Sequence, residues 1–200
     1  MGCKWLIVLL SAGLAQPAQK DRSKFSPGPV SSFRARQTND KVTVAARAYL
    51  SEADVRAAFG KLNPYQHGIL PILVVIANDG DQTVALGRLR VELVTPDRER
   101  VEATPAAEVR FVTPPAKPGM TPGPIAGRLP GLSRRKNPLD AWEIEGRAFA
   151  ARMLPPKESA SGFFYFQVSF RAGSQLYLTG MREAASGKEL LYFELPLERE

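Results

Sequence analysis

The feature that most restricts this chain is the run Ile69 to Ala77, nine residues that are almost all apolar and largely β-branched, set between turn-forming segments. Asn63-Pro64-Tyr65-Gln66-His67-Gly68 precedes it and Asn78-Asp79-Gly80-Asp81 closes it. The run's lack of polar alternation predicts a central strand buried on both faces, so material must pack above and below it.

The rest of the chain supplies that material as short strands. Val42, Val44, Ala46, Ala48 and Leu50 alternate with Thr43, Ala45, Arg47 and Tyr49, the two-residue period of a half-buried strand. Leu89, Val91 and Leu93 alternate with Arg88, Arg90 and Glu92, Thr95-Pro96-Asp97-Arg98 fits a type I turn, and Val101 returns as the partner strand. Phe149 to Leu154 reads as strand. Phe164, Phe166, Val168 and Phe170 alternate with Tyr165, Gln167 and Ser169, while Leu176 to Met181 and Glu189 to Leu195 form a last hairpin through Ala185-Ser186-Gly187-Lys188. Helix is minor. Ser51-Glu52-Ala53-Asp54 resembles a capping box before Val55, Ala58 and Phe59, with Gly60 ending the helix, and Pro138 to Glu145 reads as a second short helix with Leu139 and Trp142 facing inward. Seven or eight strands between Pro/Gly turns, with one or two short helices, predict an antiparallel β-sandwich over residues 42–200.

Two segments lie outside that domain. Lys4, the apolar run Trp5 to Leu10 and the small-residue exit Ser11 to Ala15 have the layout of a secretory signal peptide over 1–15. Cys3 precedes the apolar run, where a lipoprotein cysteine would follow it, and Leu6 stands where myristoylation needs Ser or Thr. Residues 16–41, with Pro17, Pro27, Pro29 and four serines, read as a flexible tether, so order is expected to begin at Val42. The implied location is periplasmic or extracellular. A chain cut after Ala15 holds no cysteine, so its core alone must supply its stability. It would carry 26 basic and 20 acidic residues, a net charge of +6 that biases it towards anionic surfaces.

Between Thr113 and Pro138 come seven prolines and four glycines, and no acidic residue occurs from Arg110 to Leu139. This insertion, 113–138, is neither strand nor helix; long loops in compact domains are usually functional or disordered. Arg128, Arg134, Arg135 and Lys136 make it a positive arm suited to anionic groups, with Trp142 as an apolar neighbour. These five are the candidate binding residues.

Catalytic and cofactor signals are weak. One His and one Cys exclude Cys/His zinc sites and disulfide frameworks. His67 has no nucleophile or orienting acid beside it in sequence, Ser159 with Lys157 is a formal Ser-Lys pair whose spacing reads better as turn chemistry, and phosphate-loop and dinucleotide glycine patterns are missing. Phe163 to Phe166 could offer Phe163 and Tyr165 as a stacking platform, but no Lys or Arg interleaves them, so nucleic acid is not an expected partner. No enzyme activity, cofactor or metal is expected, and no membrane span once the signal is removed.

Ile72-Leu73-Val74-Val75-Ile76-Ala77-Asn78-Asp79-Gly80-Asp81-Gln82 resembles the strand and Asn-centred turn of immunoglobulin-like accessory domains of bacterial envelope proteins. Leu154-Pro155-Pro156-Lys157-Glu158-Ser159, leading into Phe163 to Phe166, resembles their later strand after a Pro-Gly-Glu-Ser type turn, with Lys157 standing where Gly is usual. The likeness covers roughly 42–195 and is greatest to the telokin-like domains of exported bacterial proteins. It implies an immunoglobulin-like sandwich with no shared catalytic residues. Function is then expected to be that of an interaction or structural module in the cell envelope, with an envelope protein as partner; the alternative is a binder of acidic glycan or lipid headgroup through 128–136.

Overall fold

In the computed structural model, residues 25–111, 138–140, 142–190 and 192–198 are described. They form eleven strands in three antiparallel sheets with three short helices, a β-sandwich with an added helical layer.

The first sheet grows around the doubly apolar run. β1 (Arg36–Asn39) turns through Asp40 and Lys41 into β2 (Val42–Ala48), and the order continues through β3 (Leu70–Asn78) to β8 (Ser159–Phe166). Asp40 and Lys41 both have positive φ, 47° and 60°, the backbone a two-residue hairpin turn needs to follow the strand twist. β3 is the expected central strand. Its Pro71 is tolerated because it faces the sheet where β2 has ended: Tyr49 N–H donates to the Pro71 carbonyl at 3.0 Å.

The second sheet has the order β11 (Phe193–Pro196), β9 (Gln175–Thr179), β5 (Arg90–Val94), β6 (Arg100–Glu102). The β5–β6 hairpin has the expected turn: Arg98 N–H donates to Thr95 O at 2.9 Å, and Arg98 itself takes φ 65°. A small third sheet has the order β10 (Arg182–Glu183), β4 (Val84–Ala85), β7 (Met153–Leu154). β4 and β10, too short to read from periodicity, and β1, inside the expected tether, bring the strands to eleven where seven or eight were expected.

Two apolar clusters lie on opposite sides of the first sheet. Val44, Ala46, Ile72, Val74, Ile76 and Phe166 face Val91, Leu93, Leu176, Leu178, Phe193 and Leu195 of the second sheet. On the other side Ala45, Leu73, Val75, Phe163 and Tyr165 pack beneath α1 (Glu52–Phe59), α2 (Ala106–Val109) and α3 (Trp142–Gly146) through Val55, Phe59, Val109, Leu139 and Ile144. The α1 cap is as expected: Asp54 N–H donates to Ser51 Oγ at 3.1 Å, a contact worth about 1 kcal/mol.

Three expectations need correction. The tether expected over 16–41 does not reach to 41: Phe33 is buried, Phe25 lies edge-on to Tyr49 at 6.0 Å, and β1, though exposed or half-buried along its length, pairs with β2 through the Asp40–Lys41 turn. Strand over 149–154 shrinks to β7, since 147–149 makes only a parallel bridge at Ala148. Trp142 does not face inward and is 55% exposed. The helix starts at Trp142, so Leu139 precedes it in a turn, and buried Ile144 two residues on puts Trp142 on the opposite side.

The edges of the two main sheets are largely covered. Along β8, Phe149 N–H donates to Phe163 O at 3.1 Å, Phe163 N–H to Arg147 O at 2.8 Å, and Thr104 N–H to Tyr165 O at 2.7 Å. Gly162 permits this approach: a Cβ there would lie 2.3 Å from Phe149 Cα. At the opposite seam Glu194 N–H donates to Gln37 Oε1 at 2.7 Å and Asn39 Nδ2 to Tyr192 O at 3.0 Å. What remains of the β6 edge is three residues carrying Arg100 and Glu102, a poor template for an added strand.

Candidate functional site

Three places carry the chemistry singled out in the sequence: the turn cluster at Asn78, the aromatic strand, and the two ends of the Pro/Gly-rich segment.

Asn78 is fully buried and tied in every direction. Its Nδ2 donates to Gln82 O at 2.8 Å, Leu154 O at 3.1 Å and Pro155 O at 3.1 Å, and its Oδ1 accepts from Gly80 N–H at 3.0 Å. Its backbone bonds both Glu158 and Lys157. The two segments that carried the family likeness are thus one physical unit, with an amide as the pin.

Beside it, Lys157 Nζ donates to Asp79 O at 2.6 Å and pairs with Asp81 at 3.2 Å, while Lys41 Nζ pairs with the other Asp81 oxygen at 3.2 Å. The hydrogen bond from Lys157, then that from Lys41, holds the Asp81 carboxyl below the usual carboxylate range. Lys157 therefore spends its ammonium on Asp81 and a carbonyl, with Asp81 rather than neighbouring Glu158 as its counterion, and does not serve Ser159 as a base. The exposed pairs contribute little stability. His67 sits in a single turn of 3₁₀-helix, Tyr65–His67, and its N–H caps back onto Pro64 O at 2.9 Å. Among the described residues no three of His, Cys, Asp and Glu are grouped to hold a metal ion.

The aromatic strand is closed on both faces. Phe163 and Tyr165 are 2% and 1% exposed, under the helical layer, so they offer no platform. Tyr165 Oη donates to Ile144 O at 2.7 Å; burial pushes its phenol well above the ordinary tyrosine range, with Arg147 pulling weakly the other way. That bond ties α3 to the first sheet.

The third place is exposed. α2 and α3 pack side by side and Arg110 pairs with Asp140 at 3.9 Å, so the described residues on either side of 112–137 are held together. Phe111 is 74% exposed and Trp142 55%, one at each root. The Trp142 ring lies back over Gly146, where a Cβ would come within 3.2 Å of Cε3. Next to Phe111 an open depression of about 860 Å³ is lined by Glu102, Thr104, Pro105, Glu108 and Gln167. Of the candidate residues, Trp142 belongs to this root, and Arg128, Arg134, Arg135 and Lys136 lie outside the described residues. Phe111, Glu102 and Glu108 were not singled out from sequence. No sequence signal marked them, since Phe111 follows a helix of only four residues, Ala106–Val109, too short to show a period.

No family model and no curated protein matches the chain. Among solved structures it is similar to the YjhA protein of Bacillus subtilis, with 10% identity, TM-score 0.44, and coverage of 83% of this chain and 98% of that one. It is also similar to YcdA of Bacillus subtilis, with 13% identity, TM-score 0.39, and coverage of 81% of this chain but 38% of the other. A copper-bound PCuAC domain from PmoF2 aligns with 10% identity and TM-score 0.31, over 82% and 98% of the two chains. Scores of this size transfer no function. No helix among the described residues is long and apolar enough to cross a membrane.

Proposed function

We propose that this chain is an exported, non-enzymatic immunoglobulin-like module of the cell envelope, of the telokin-like kind, whose contact element is the 113–138 segment. The distribution of charge carries the reading. Among the described residues 17 lysines and arginines stand against 18 aspartates and glutamates, so the folded body is close to neutral. The excess positive charge belongs to two segments: Lys4, Lys20, Arg22 and Lys24 against Asp21 near the start, and Lys117, Arg128, Arg134, Arg135 and Lys136 against no acid in 112–137. A neutral body with covered sheet edges offers partners little except this segment and the exposed aromatics at its roots.

The test is affinity capture from envelope extract with residues 16–200, beside a version whose 113–138 segment is replaced by a short Gly/Ser linker, at low and moderate salt. Retention of one protein by the intact chain only, surviving salt, supports the module reading; equal capture by both versions overturns it. The same charge distribution favours a second reading, an acidic glycan or lipid headgroup held by Arg134, Arg135 and Lys136. Salt-sensitive retention of polyanion alone would select that reading, because exposed ion pairs are screened beyond about 8 Å at physiological ionic strength.

A further inference from the structure

We infer that the place filled by Phe25 is a binding site for an aromatic ring carrying a carboxylate, with Arg147 as the anion's partner and residues 25–29 as a strap that the ligand displaces. The site is separate from the 113–138 segment and does not depend on the reading given to it.

The charge at this place lacks a counterion. Three half-buried arginines occur among the described residues, Arg47, Arg147 and Arg182. Arg47 pairs with Asp54 at 2.9 Å and Arg182 with Glu189 at 3.7 Å. Arg147 has no carboxylate partner among the described residues: its Nε is buried without a hydrogen bond, and its guanidinium lies over the Phe25 ring at 5.2 Å from the centroid. A ring face offsets the desolvation of a cation only in part, and a carboxylate in hydrogen-bonding geometry does so better. The other walls are aromatic. Phe25 meets Phe163 at 5.6 Å and Tyr49 at 6.0 Å, both of them buried.

The present occupant is loosely tied. Among the described residues Phe25 to Gly28 makes no hydrogen bond, Pro27 and Pro29 have no N–H to give, and pairing with β2 begins only where Ala46 N–H donates to Ala35 O at 3.0 Å. The strap is anchored at its far end, by buried Phe33 and by Arg36 Nη1, which donates to Ser31 O at 3.2 Å and Phe33 O at 2.7 Å. Phe25 can therefore leave its seat without disturbing a strand. In Phe25 two carbons separate the ring from a peptide carbonyl. A free acid of that spacing keeps the ring contacts and carries its carboxylate on a linker short enough to stay beside the guanidinium that covers the ring. An arylpropionate and a chain ending in phenylalanine share this chemistry.

Heteronuclear NMR of the full chain tests the site, following the Gly28 and Phe163 amides during titration with phenylpropionate, with acetyl-Gly-Gly-Phe, and with their uncharged analogues, phenylpropanol and the peptide amide. The acids should move Gly28 towards its random-coil position as the strap leaves, and bind about tenfold more tightly than the analogues. Phe25→Ala, which empties the seat, should bind the acids about tenfold more tightly than the unmodified chain, because no strap has to be displaced. Adding Arg147→Gln should abolish the preference for acids, and Arg147→Lys should keep part of it. Tighter binding of the peptide assigns the carboxylate to a chain end, and tighter binding of phenylpropionate assigns it to a small molecule. Equal affinity of Phe25→Ala for acid and analogue, no gain over the unmodified chain, or a preference that survives Arg147→Gln with an unchanged circular dichroism spectrum overturns the inference. So does an unmoved Gly28 amide in the unmodified chain at about 10 mM of either acid, a result that needs no variant to fold.

Discussion

At the scale of single residues, the most consequential side chain is a neutral amide. Asn78→Ala leaves buried carbonyls of the 78–82 and 154–155 turns without their donor, and an orphaned buried polar group costs about 1–3 kcal/mol. We expect a loss of about 3 kcal/mol in urea unfolding at pH 7. Asn78→Asp keeps the acceptor for Gly80 N–H but sets a carboxylate against those carbonyls; it should be at least as damaging at pH 7 and recover partly in acid, where a protonated carboxyl can donate. Tyr165 gives a test at the other end of the pH scale. Its phenol pKa is raised by folding, so the unfolded chain loses that proton first, and the contribution to stability is full below the ordinary value of about 10 and falls as pH rises beyond it. Tyr165→Phe should cost about 1 kcal/mol at pH 7 by orphaning Ile144 O, and should flatten the decline in stability above pH 10. Paired urea titrations at pH 7 and at alkaline pH check both effects.

At the scale of elements, closure of the β8 edge depends on a missing side chain. Gly162→Ala places a methyl carbon inside the backbone of Phe149, so the 147–149 segment must lift off β8 and α3 must shift with it. The expected cost is about 3 kcal/mol, with faster hydrogen exchange at Phe149 and Phe163 than elsewhere in the first sheet; unchanged exchange there would contradict the clasp. What could be read beforehand follows from length and period. β3, β8 and α1 were legible because nine apolar residues, a run of alternating aromatics and a capping box each determine local structure unaided. β4 and β10 were not, since two residues have no period and exist only because neighbours accept them. Trp142 was misplaced because the i, i+3 relation to Leu139 holds only inside one helix. Lys157 is instructive in the other direction: φ 62° keeps the left-handed backbone that Gly would adopt, so the turn was legible through the substitution. The site was half legible: the basic run and the acids that flank it in sequence, Glu108, Asp140 and Glu143, were visible, but only the fold packs α2 against α3 and so brings the two roots together.

At the scale of the whole molecule, charge and stability reside in different parts. Replacing 113–138 by a Gly/Ser linker removes five basic residues and no acid, taking residues 16–200 from +6 to +1. That version should elute far earlier from a cation exchanger at pH 7, yet melt within about 3 °C of the parent, because loop length enters stability only logarithmically. A large drop in melting temperature would show instead that the segment contributes to the core.

The pairing order also decides when along the chain folding can be completed. β3 lies beside β2, close in sequence, but its other neighbour β8 comes more than eighty residues later, and β9 of the second sheet waits for β11. Leu195 and Leu197 are core residues, so the space between the sheets stays open to water until residue 197 is free to enter it. A polypeptide threaded through a narrow channel from its amino terminus would therefore remain pliable for nearly its whole passage, and would become a solid body only as the last strand came through.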